Sequence, residues 1–375
     1  MRELASVELS VIALELKALE GLYLKKLYDM GNGAFELFFS SNAKEYAVYC
    51  KLLRSINITS YIAEHETATA FAMSARKRLL GKKLAEVKQL DGDRILLFDF
   101  SDYKLFVEML GKGNVVLTDK DDVIIEAYTR VRYKDRSIEP KALYAKPKGS
   151  AIGVSEINER NAEERVLSIS SENDRIISLL SRLFEIGPLY IEDVLIRNNI
   201  DPKAKANAIE KDTLRRVAEG IANFRNVLSN YKPRVYYNDS EGNKDYSIIE
   251  IAKYKGYYEK SYATLSELLD DFYLKERQER QENESDKSRE KELLSIKSSI
   301  EKQKEFIKTL EYDEQDAKKK GDIIFANMNQ INQIIDYARK AKKFTLEDLK
   351  GFETGEIKVI DVDLKNKRIR IKIKG

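Results

Sequence analysis

The chain of 375 residues opens on a pattern of apolar and polar positions with a helical period. Within residues 6–20, the apolar side chains that share one helix face are Leu9, Ile12, Ala13, Leu16 and Leu19. Ser6 stands where an N-cap is expected, and Gly21 follows the last periodic position, where glycine commonly ends a helix. The pattern therefore predicts a short amphipathic helix over residues 6–20.

Residues 22–127 are dominated by runs that are typical of strands. Runs at 22–28 and 34–39 flank a turn in DMGNG, whereas the run at 46–63 is too continuous to assign by its period. A basic helix is predicted from Phe71 to Leu80. The apolar runs after it are separated by the polar turns DGD, SD, GKG and DKDD, which predicts an antiparallel meander.

The pattern becomes helical over residues 172–229, where several short helices are predicted. The sequence EIGPLY, with Gly187 and Pro188, lies between two of them and is similar to the hairpin of a helix-hairpin-helix unit. Such a hairpin presents backbone N–H groups to a phosphate, although a plain helix–helix connection explains the same residues. Strands flanking a turn at SEGN are predicted to follow in PRVYYNDSEGNKDYSIIEI.

A long charged helix is predicted from Thr264 to Lys320, and Thr264 with Glu267 fits a capping box at its start. The positions that keep the 3–4 spacing of a coiled-coil seam are Leu293, Ile296, Ile300, Gln303, Ile307, Leu310 and Ala317. Gly321 is expected to end this helix. An apolar seam needs a partner helix, and no returning arm follows, so we expect this segment to fray or to pair with a second copy of the chain.

The last part of the chain predicts a second, more apolar helix from about Ile323, followed by a β-hairpin that turns near Lys365 and Asn366. Alternation along its final strand places four cations on one face, opposite three isoleucines. These cations are Arg368, Arg370, Lys372 and Lys374.

Together these patterns predict an α+β fold. Its parts are an N-terminal antiparallel β domain with flanking helices at 1–165, a helix-hairpin-helix domain at 172–230, a small strand-containing insert at 231–263, a coiled-coil helix at 264–320, and a middle region of one helix and a β-hairpin at 321–375.

Composition narrows the possible functions. Charged residues make up 34% of the chain, but the net charge is only +3, so affinity for a nucleic acid must come from local patches. The single cysteine, Cys50, and the single histidine, His65, exclude an internal disulfide and a metal centre built on several cysteines or histidines. We therefore expect no metal. No apolar run approaches the ~20 residues of a membrane span, and no signal peptide is apparent, which predicts a cytoplasmic protein that does not associate with membranes.

Enzymatic functions find little support in the sequence. It contains no GxxxxGK[ST] loop, no GxGxxG after a strand and no nucleophile elbow. The sequence GKGNVV has too few glycines for a dinucleotide loop and is followed by a strand pattern rather than a helix. We therefore expect no catalytic residues and no cofactor.

Asp93 and Arg94 stand at the mouth of a strand pair, where packing requires neither an acid nor a guanidinium. In a structural interpretation, Asp93 caps N–H groups of the turn and Arg94 forms a surface ion pair worth about 0–1 kcal/mol. In a functional one, the planar fork of Arg94 binds a phosphate or a base edge, and Asp93 orients it or accepts from a base amino group. Single-stranded loops expose such edges, so a tRNA anticodon loop fits this chemistry.

Two further groups of cations are candidates for phosphate contacts. Arg76, Lys77 and Arg78 fan through about 200° around their helix, and Lys82 and Lys83 follow. In the sequence TRVRYKDR, basic residues alternate along a strand end at Arg130, Arg132, Lys134 and Arg136. A solvated surface explains either group equally well.

The order of these parts resembles the N-terminal portion of the NFACT family. The matching positions are Phe71, Met73, Arg76, Lys77 and Leu79 in the basic helix, Gln89, Asp93, Arg94 and Ile95 around the turn, and Gly113, Asn114 and Leu117 at a later strand start. Glu8 stands where the family usually has Asp, the prolines usual before the basic helix are absent, and the family's C-terminal RNA-binding domain has no counterpart here. The resemblance implies a fold similar to formamidopyrimidine-DNA glycosylases. It does not imply their activity, because Arg2 replaces the nucleophilic proline and the zinc-finger cysteines are missing.

The resemblance implies a non-enzymatic role in ribosome-associated quality control. Proteins of the family bind large ribosomal subunits that carry a stalled peptidyl-tRNA, and recruit tRNA, commonly alanyl-tRNA, for untemplated C-terminal tailing of the nascent chain. The tRNA-binding residues implied by the resemblance are Asp93, Arg94, Glu8, Arg76, Lys77 and Asn114. Gly187, Arg130 and Arg132 are candidates for phosphate contacts. Glu8 is expected to lie near Asp93 and Arg94.

Two other functions remain open at this point. The chain is also interpreted as a scaffold whose coiled coil binds a protein partner without direct tRNA binding. An adhesin function, described for some bacterial members of the family, is disfavoured by the absence of a signal peptide.

Overall fold

The computed structural model describes residues 2–62, 69–147, 149, 151–238, 242–340, 349–363, 366 and 368–373, of which 238, 242–244, 275–276, 279–292 and 340 are described by their backbone alone. His65, Lys365 and Lys374 lie outside the described residues, as do the first two residues of the predicted turn at SEGN. The chain divides into two units, Met1–Glu282 and Asn283–Gly375. The predicted α+β fold is confirmed.

Helix α1 (Ser6–Leu16) lies in the core of the first unit, and Gly21 closes the segment after it with a φ of 86°. Ser6 was predicted to be the N-cap, and this is wrong: Ala5 holds that position, and its N–H donates to the Glu8 carboxylate at 2.8 Å. The helix is more than amphipathic, since Val7 and Val11 are as fully buried as Leu9. A helix that is apolar on nearly all sides is covered on nearly all sides.

The first sheet is antiparallel and follows chain order: β1 (Tyr23–Asp29), β2 (Ala34–Ser40), β3 (Glu45–Lys51) and β4 (Ser55–Thr59). The apolar run at 46–63 had no clear period because both faces of β3 are covered. Val48 and Cys50 face the main core, while Tyr49 on the opposite face packs under Arg277.

Helix α2 (Ala70–Leu79) begins at Thr69, whose hydroxyl accepts from the Ala72 N–H at 3.2 Å. The predicted meander is confirmed as a second antiparallel sheet in chain order: β5 (Glu86–Gln89), β6 (Ile95–Asp99), β7 (Tyr103–Glu108), β8 (Asn114–Asp119) and β9 (Ile124–Ala127). A short hairpin of β10 (Val131–Arg132) and β11 (Ser137–Ile138) follows.

The helical part consists of α3 (Glu159–Ser168), α4 (Ile176–Leu183), α5 (Pro188–Arg197), α6 (Lys211–Ala222) and α7 (Phe224–Val227). The predicted boundary at residue 165 falls within α3. Two short parallel strands, β12 (Ile152–Gly153) and β13 (Phe184–Glu185), join the start of this part to the α4–α5 hairpin. The insert forms a sheet in the order β15 (Gly242–Ser247), β14 (Arg234–Asn238), β16 (Tyr258–Ser261).

Helix α8 (Leu265–Ala326) begins at the predicted cap, since the Glu267 N–H donates to the Thr264 hydroxyl at 3.1 Å. A second cap was not predicted: the Glu15 carboxylate accepts from the N–H groups of Leu265 and Ser266 at 2.7 and 2.9 Å. The prediction that Gly321 ends this helix is wrong, because α8 continues to Ala326. An interior glycine lowers helix stability by only about 1 kcal/mol.

The second unit contains most of α8, then α9 (Met328–Lys340) and a sheet in the order β17 (Glu353–Thr354), β18 (Ile357–Asp363), β19 (Arg368–Ile373). The predicted terminal hairpin is confirmed, with exposed Arg368, Arg370 and Lys372 alternating with isoleucines that pack towards α9. The seam residues Leu293, Ile296, Ile300, Ile307 and Leu310 are 44–56% exposed. Self-association through this stripe remains a prediction.

Within the described ranges, no helix combines the length and the apolar character that crossing a membrane requires.

Candidate functional site

The turn between β5 and β6 has a conformation that its own sequence dictates. Asp91 and Gly92 have φ values of 46° and 74°, and the Asp93 N–H donates to the Leu90 carbonyl at 2.8 Å. Two successive residues with positive φ form a type I′ turn, for which Asp-Gly is a preferred pair. The turn therefore delivers Asp93 and Arg94 to the start of β6 in a fixed geometry.

Gln89 fastens this turn to the first residues of α1. Its side-chain amide donates to the carbonyl oxygens of Gly92 and Asp93 at 3.1 and 2.8 Å, and to the Ser6 hydroxyl at 3.0 Å. Ser10 donates its hydroxyl to the Gln89 side-chain oxygen, and Ser6 donates to the Gly92 carbonyl. The carbonyl oxygens of the turn are thus engaged within the protein, and its orientation is tied to α1.

Glycines allow the same turn to contact the chain near β12. A Cβ placed on Gly92 would lie 2.1 Å from the Cα of Gly153, and one placed on Gly153 would lie 2.5 Å from the Cα of Gly92. Gly153 in turn pairs with Glu185 of β13. This contact between two backbones brings the turn beside the start of the α4–α5 hairpin.

Asp93 and Arg94 lie in a group of charged side chains that we call the turn cluster, composed of Glu3, Asp91, Asp93, Arg94, Lys146 and Glu185. Arg94 donates to Glu3 at 2.5 Å, and Lys146 pairs with Asp91. Burial raises the pKa of Asp93, the charge of Lys146 opposes this, and that of Asp91 adds to it. Burial likewise raises the pKa of Glu185, with Asp93 adding to the effect and Arg94 opposing it.

The turn cluster places hydrogen-bond donors next to acceptors on a partly exposed surface. When fully ionised, its carboxylates outnumber its cations, so the cluster repels a lone phosphate. A guanidinium beside carboxylates matches the edge of a nucleobase, which offers both acceptor atoms and amino groups. Recognition of a base edge is therefore the chemistry that this arrangement supports.

Apart from Asp91, which belongs to the turn itself, three members of the turn cluster were not singled out from the sequence: Glu3, Lys146 and Glu185. Glu3 is 91 positions from Arg94 in the chain. Each lies in an unremarkable charged context, and only the folding of α1, β12 and β13 around the turn brings them together. The sequence carried no local signal for them.

Glu8 lies inside the protein and not at this surface. Its carboxylate accepts from Arg2, from the Ala5 N–H at 2.8 Å and from the Tyr190 hydroxyl at 2.5 Å, and the residue is 0% exposed. Burial, and then the charge of Glu8, raise the pKa of Tyr190. The turn between β5 and β6 contacts the same first turn of α1, because Ser6 bonds to Gly92 and Gln89. Glu8 can therefore act on the cluster through the helix, but not by touching a ligand.

Asn114, implied as a tRNA contact, is also buried, at 4% exposure. Its amide nitrogen donates to the Thr129 carbonyl at 2.8 Å, and its amide oxygen accepts from the N–H groups of Val115 and Thr129, both at 2.9 Å. These bonds hold the end of β9 against the start of β8. The structure corrects the expected role, because contact with a ligand would break this set of bonds.

Two of the cations in the basic helix, Arg76 and Lys77, have different surroundings. Arg76 donates to the Leu27 carbonyl at 2.6 Å, and its guanidinium carbon lies 5.0 Å from the centre of the Tyr28 ring. It therefore secures α2 to β1. Lys77 is exposed and remains available for a phosphate.

The predicted basic edge at Arg130 and Arg132 carries its own counter-charges. Arg130 pairs with Glu126 at 2.9 Å and Arg132 with Glu139 at 2.8 Å. Arg136 is buried and pairs with Glu108 at 2.6 Å. These acids reduce the attraction of this edge for phosphate.

Gly187 caps α5 with a φ of 117°, and Pro188 occupies the first helical position. A Cβ on Gly187 would lie 2.7 Å from the Ala5 Cβ. The close approach to the start of α1 is thus a sufficient reason for glycine here. Phosphate contact at the hairpin stays a prediction.

Replacing Glu185 by glutamine is expected to raise stability at neutral pH. The folded state raises the pKa of Glu185, so the ionised carboxylate destabilises the fold above that pKa. Below the unfolded-state pKa of about 4.3 the carboxyl is protonated in both states and this penalty is absent. The gain in Tm should therefore be largest near pH 7 and vanish near pH 4, as measured by thermal unfolding followed by circular dichroism. The control is Glu163→Gln, which changes an exposed carboxylate of α3. A gain in Tm that is independent of pH, or one that this control reproduces, would contradict the destabilising role of the Glu185 charge.

The comparisons with known proteins agree on one family. The family model described as the NFACT N-terminal and middle domains matches residues 6–366. The archaeal Rqc2 homolog aRqcH of Methanocaldococcus jannaschii is 28% identical over 326 residues, covering 85% of this chain and 47% of that protein. The human ribosome quality control complex subunit NEMF is 23% identical over 372 residues, covering 90% of this chain and 34% of its own length. The chain spans about half or less of these relatives.

Solved structures agree on the fold. The fibrinogen binding protein from Staphylococcus aureus superposes with a TM-score of 0.58 at 20% identity, covering 72% of this chain and 98% of that protein. The N-terminal part of the fibronectin/fibrinogen-binding protein from Streptococcus suis gives 0.54 at 24% identity, covering 72% and 99%. At these identities the likeness shows the fold alone. Because the family model matches the chain from residue 6 to residue 366, this protein belongs to the NFACT family.

Proposed function

We propose that this protein is a ribosome-associated quality control factor that binds large ribosomal subunits carrying a stalled peptidyl-tRNA. In this function it recruits tRNA, with alanyl-tRNA the expected species, for untemplated extension of the nascent chain. The ribosome forms the peptide bond, so the protein acts in the cytoplasm as an RNA-binding factor without catalysis or a cofactor. The names of the archaeal and human relatives support the quality-control role.

The observation that carries the RNA-binding part is the turn cluster. Arg94 supplies a planar pair of donors that is 26% exposed, and Asp93 and Glu185 supply acceptors beside it. The turn backbone is fixed by Gln89 and by the contact of Gly92 with Gly153. A rigid donor–acceptor group loses little conformational entropy on binding. An unpaired base in a tRNA loop presents the complementary edge.

Replacing Arg94 by alanine is expected to weaken tRNA binding by about 1–3 kcal/mol, the scale of a lost two-pronged base contact. Asp93→Asn should weaken it similarly, because the amide nitrogen donates where the carboxylate accepts. Filter binding with unfractionated tRNA measures both effects. The folded state should tolerate both changes, since the Arg94–Glu3 pair is partly exposed and contributes little to stability.

Arg215→Ala is the matched control, because Arg215 is an exposed arginine that also has carboxylate partners and is not among the candidate RNA contacts. Equal tRNA affinity for the wild type, Arg94→Ala and Asp93→Asn would remove the turn cluster from RNA binding. A large fall in Tm for Arg94→Ala would instead make the pair structural. Co-sedimentation with free large subunits rather than assembled ribosomes tests the ribosomal part.

The exposed stripe of α8 favours one alternative, a scaffold that binds a protein through its coiled coil. Large aliphatic side chains at Leu293, Ile296 and Ile300 are about half exposed, and burying such side chains contributes about 1.5–3 kcal/mol each. Partner binding that does not change with salt, together with the absence of tRNA binding, would select the scaffold. The likeness to fibrinogen- and fibronectin-binding proteins concerns the fold and supports no adhesin function.

A further inference from the structure

A second group of cations is assembled by backbone pairing at the edge of the first sheet. The Leu24 N–H donates to the Lys82 carbonyl at 3.0 Å, the Gly81 N–H donates to the Leu24 carbonyl at 2.8 Å, and Tyr23 lies opposite Lys83. Segment 81–84 thus runs beside β1. This pairing brings Lys25 and Lys26 close to Lys82 and Lys83, although the two lysine pairs are more than 50 positions apart in the sequence. We call these four residues the lysine ridge.

A β-bulge turns both lysines of β1 outward. The register of β1 against β2 shifts between Leu24 and Lys26, and the extra residue resets the alternation of the strand. Leu24 and Leu27 are therefore both buried, while Lys25 and Lys26 between them are both exposed. Regular alternation would have directed one of the two lysines inward. The local geometry thus concentrates positive charge on the outer surface.

The charge of the lysine ridge is large for this chain. Four lysines and Asp102, which pairs with Lys82 at 2.7 Å, carry a formal charge of 4 − 1 = +3, equal to the net charge of the whole protein. Like charges at close range repel by about 1 kcal/mol per pair even in water. The buried leucines, not the lysines, hold β1 in place, so packing does not account for this concentration of charge.

The chemistry of the lysine ridge differs from that of the turn cluster. Lysine is a compact, strongly hydrated point charge that suits phosphate oxygens, and it lacks the planar fork with which arginine makes a two-pronged contact to a base edge. Tyr23 is 42% exposed at the same strand, and the Lys25 ammonium lies 5.6 Å from the centre of its ring. Aromatic rings between cations are typical of surfaces on which a base or ribose stacks while the backbone is held by charge.

We propose that the lysine ridge binds the phosphodiester backbone of RNA, with Tyr23 stacking on an adjacent base or ribose. The choice of RNA as the polyanion rests on the proposed function. Contacts of this kind orient a protein on its RNA without sequence preference. The ridge therefore supplies affinity, and the turn cluster supplies discrimination.

The triple variant Lys25→Gln, Lys26→Gln, Lys83→Gln tests this proposal, with binding to unfractionated tRNA and to purified large ribosomal subunits measured as a function of KCl concentration. Each lost phosphate contact should reduce the slope of log affinity against log salt by about 0.7–0.9. We expect the slope to fall by about 2–3, and the affinity at low salt to fall at least roughly tenfold. A loss confined to subunits assigns the ridge to ribosomal RNA, and one confined to tRNA assigns it to tRNA.

The matched control replaces Lys203, Lys205 and Lys211, which are exposed lysines of the helical part, by glutamine. An unchanged salt slope with both RNA ligands, or an equal loss in this control, would overturn the proposal. The variant Arg94→Ala distinguishes backbone binding by the lysine ridge from the base recognition proposed for the turn cluster. If Arg94→Ala leaves tRNA binding intact while the ridge variant weakens it, base reading by the turn cluster fails and the lysine ridge stands.

Discussion

Replacing Glu8 by alanine is expected to lower the free energy of unfolding by about 3–5 kcal/mol, the range observed when one partner of a buried ion pair is removed. Glu8 is fully buried, and its carboxylate accepts from Arg2, Tyr190 and the Ala5 N–H. Alanine leaves the Tyr190 hydroxyl and the Ala5 N–H without this acceptor in the interior. The substitution also removes the negative charge that pairs with the positive charge of the Arg2 guanidinium.

Urea unfolding followed by circular dichroism measures this loss, and Glu3→Ala is the control. Glu3 precedes the same helix, but its side chain is 50% exposed, so its removal should change the free energy of unfolding by less than about 1 kcal/mol. A loss below about 1 kcal/mol for Glu8→Ala would show that the network is not a structural one. A loss of tRNA binding in Glu8→Ala should accompany its loss of stability, whereas Arg94→Ala should lose binding while it keeps nearly the stability of the wild type.

The second large effect is expected at Arg277 on α8, where alanine should also cost about 3–5 kcal/mol. The Arg277 guanidinium lies 3.8 Å from the centre of the Tyr49 ring and pairs with Asp270 at 2.6 Å, with side-chain exposures of 5% and 13%. It also donates to Thr59 at 3.1 Å and to Asn57 at 3.3 Å. One side chain thus fastens the first turns of α8 to the outer face of the first sheet.

Denaturant unfolding and amide hydrogen exchange test this prediction together. Exchange at 265–274 should accelerate in Arg277→Ala, because the residues that hold α8 to β3 and β4 are lost. Lys260→Ala removes an exposed pair with Asp271 of the same helix, and should leave both measurements nearly unchanged. If hydrogen exchange in this segment matches the wild type, the contact does not secure α8.

The network around Glu8 and Arg2 helps to position the turn cluster, although the members of that cluster come from distant parts of the chain. Arg2 also donates to Asp245 and to the Tyr246 carbonyl, both at 2.7 Å. The start of α1 is therefore joined to α5 through Tyr190 and to β15 through Arg2. Since Ser6 on this helix contacts the turn, the buried charges of the interior set the orientation of the surface charges. The tRNA binding proposed for Arg94 therefore depends on the packing of these buried residues as well as on the exposed ones.

Local sequence determined much of the secondary structure. The meander from β5 to β9 followed from apolar runs separated by polar turns. The type I′ turn agrees with its Asp-Gly pair, because both central residues of such a turn need a positive φ, which Asp and Gly adopt readily. The terminal hairpin followed from alternation in RIRIKIK. The end of α8 was misplaced at Gly321, because one glycine destabilises a helix too little to terminate it when its neighbours favour helix.

The sequence also identified Asp93 and Arg94 as candidates for the functional site, because the packing of two strands does not require charged residues at the turn that joins them. It did not reveal that Asn114 and Glu8 are buried, or that Arg76 donates to the Leu27 carbonyl. A motif match cannot distinguish a residue that contacts a ligand from one that holds its neighbours in place, because either role requires a particular residue type at that position.

Only the tertiary structure decided which charges meet. Glu185 joins Arg94 because Gly92 and Gly153, 61 positions apart, let two backbones touch. Glu3 joins Arg94 because Ser6 ties the start of α1 to Gly92 and Gln89 of the same turn. Lys25 and Lys26 join Lys82 and Lys83 because segment 81–84 pairs with β1. The residue types and the spacing of apolar positions determine where the helices and strands of this protein form, because they fix the conformational preference and the buried face of each segment. The sites depend on long-range electrostatics and backbone contacts, and these exist only once the elements have packed.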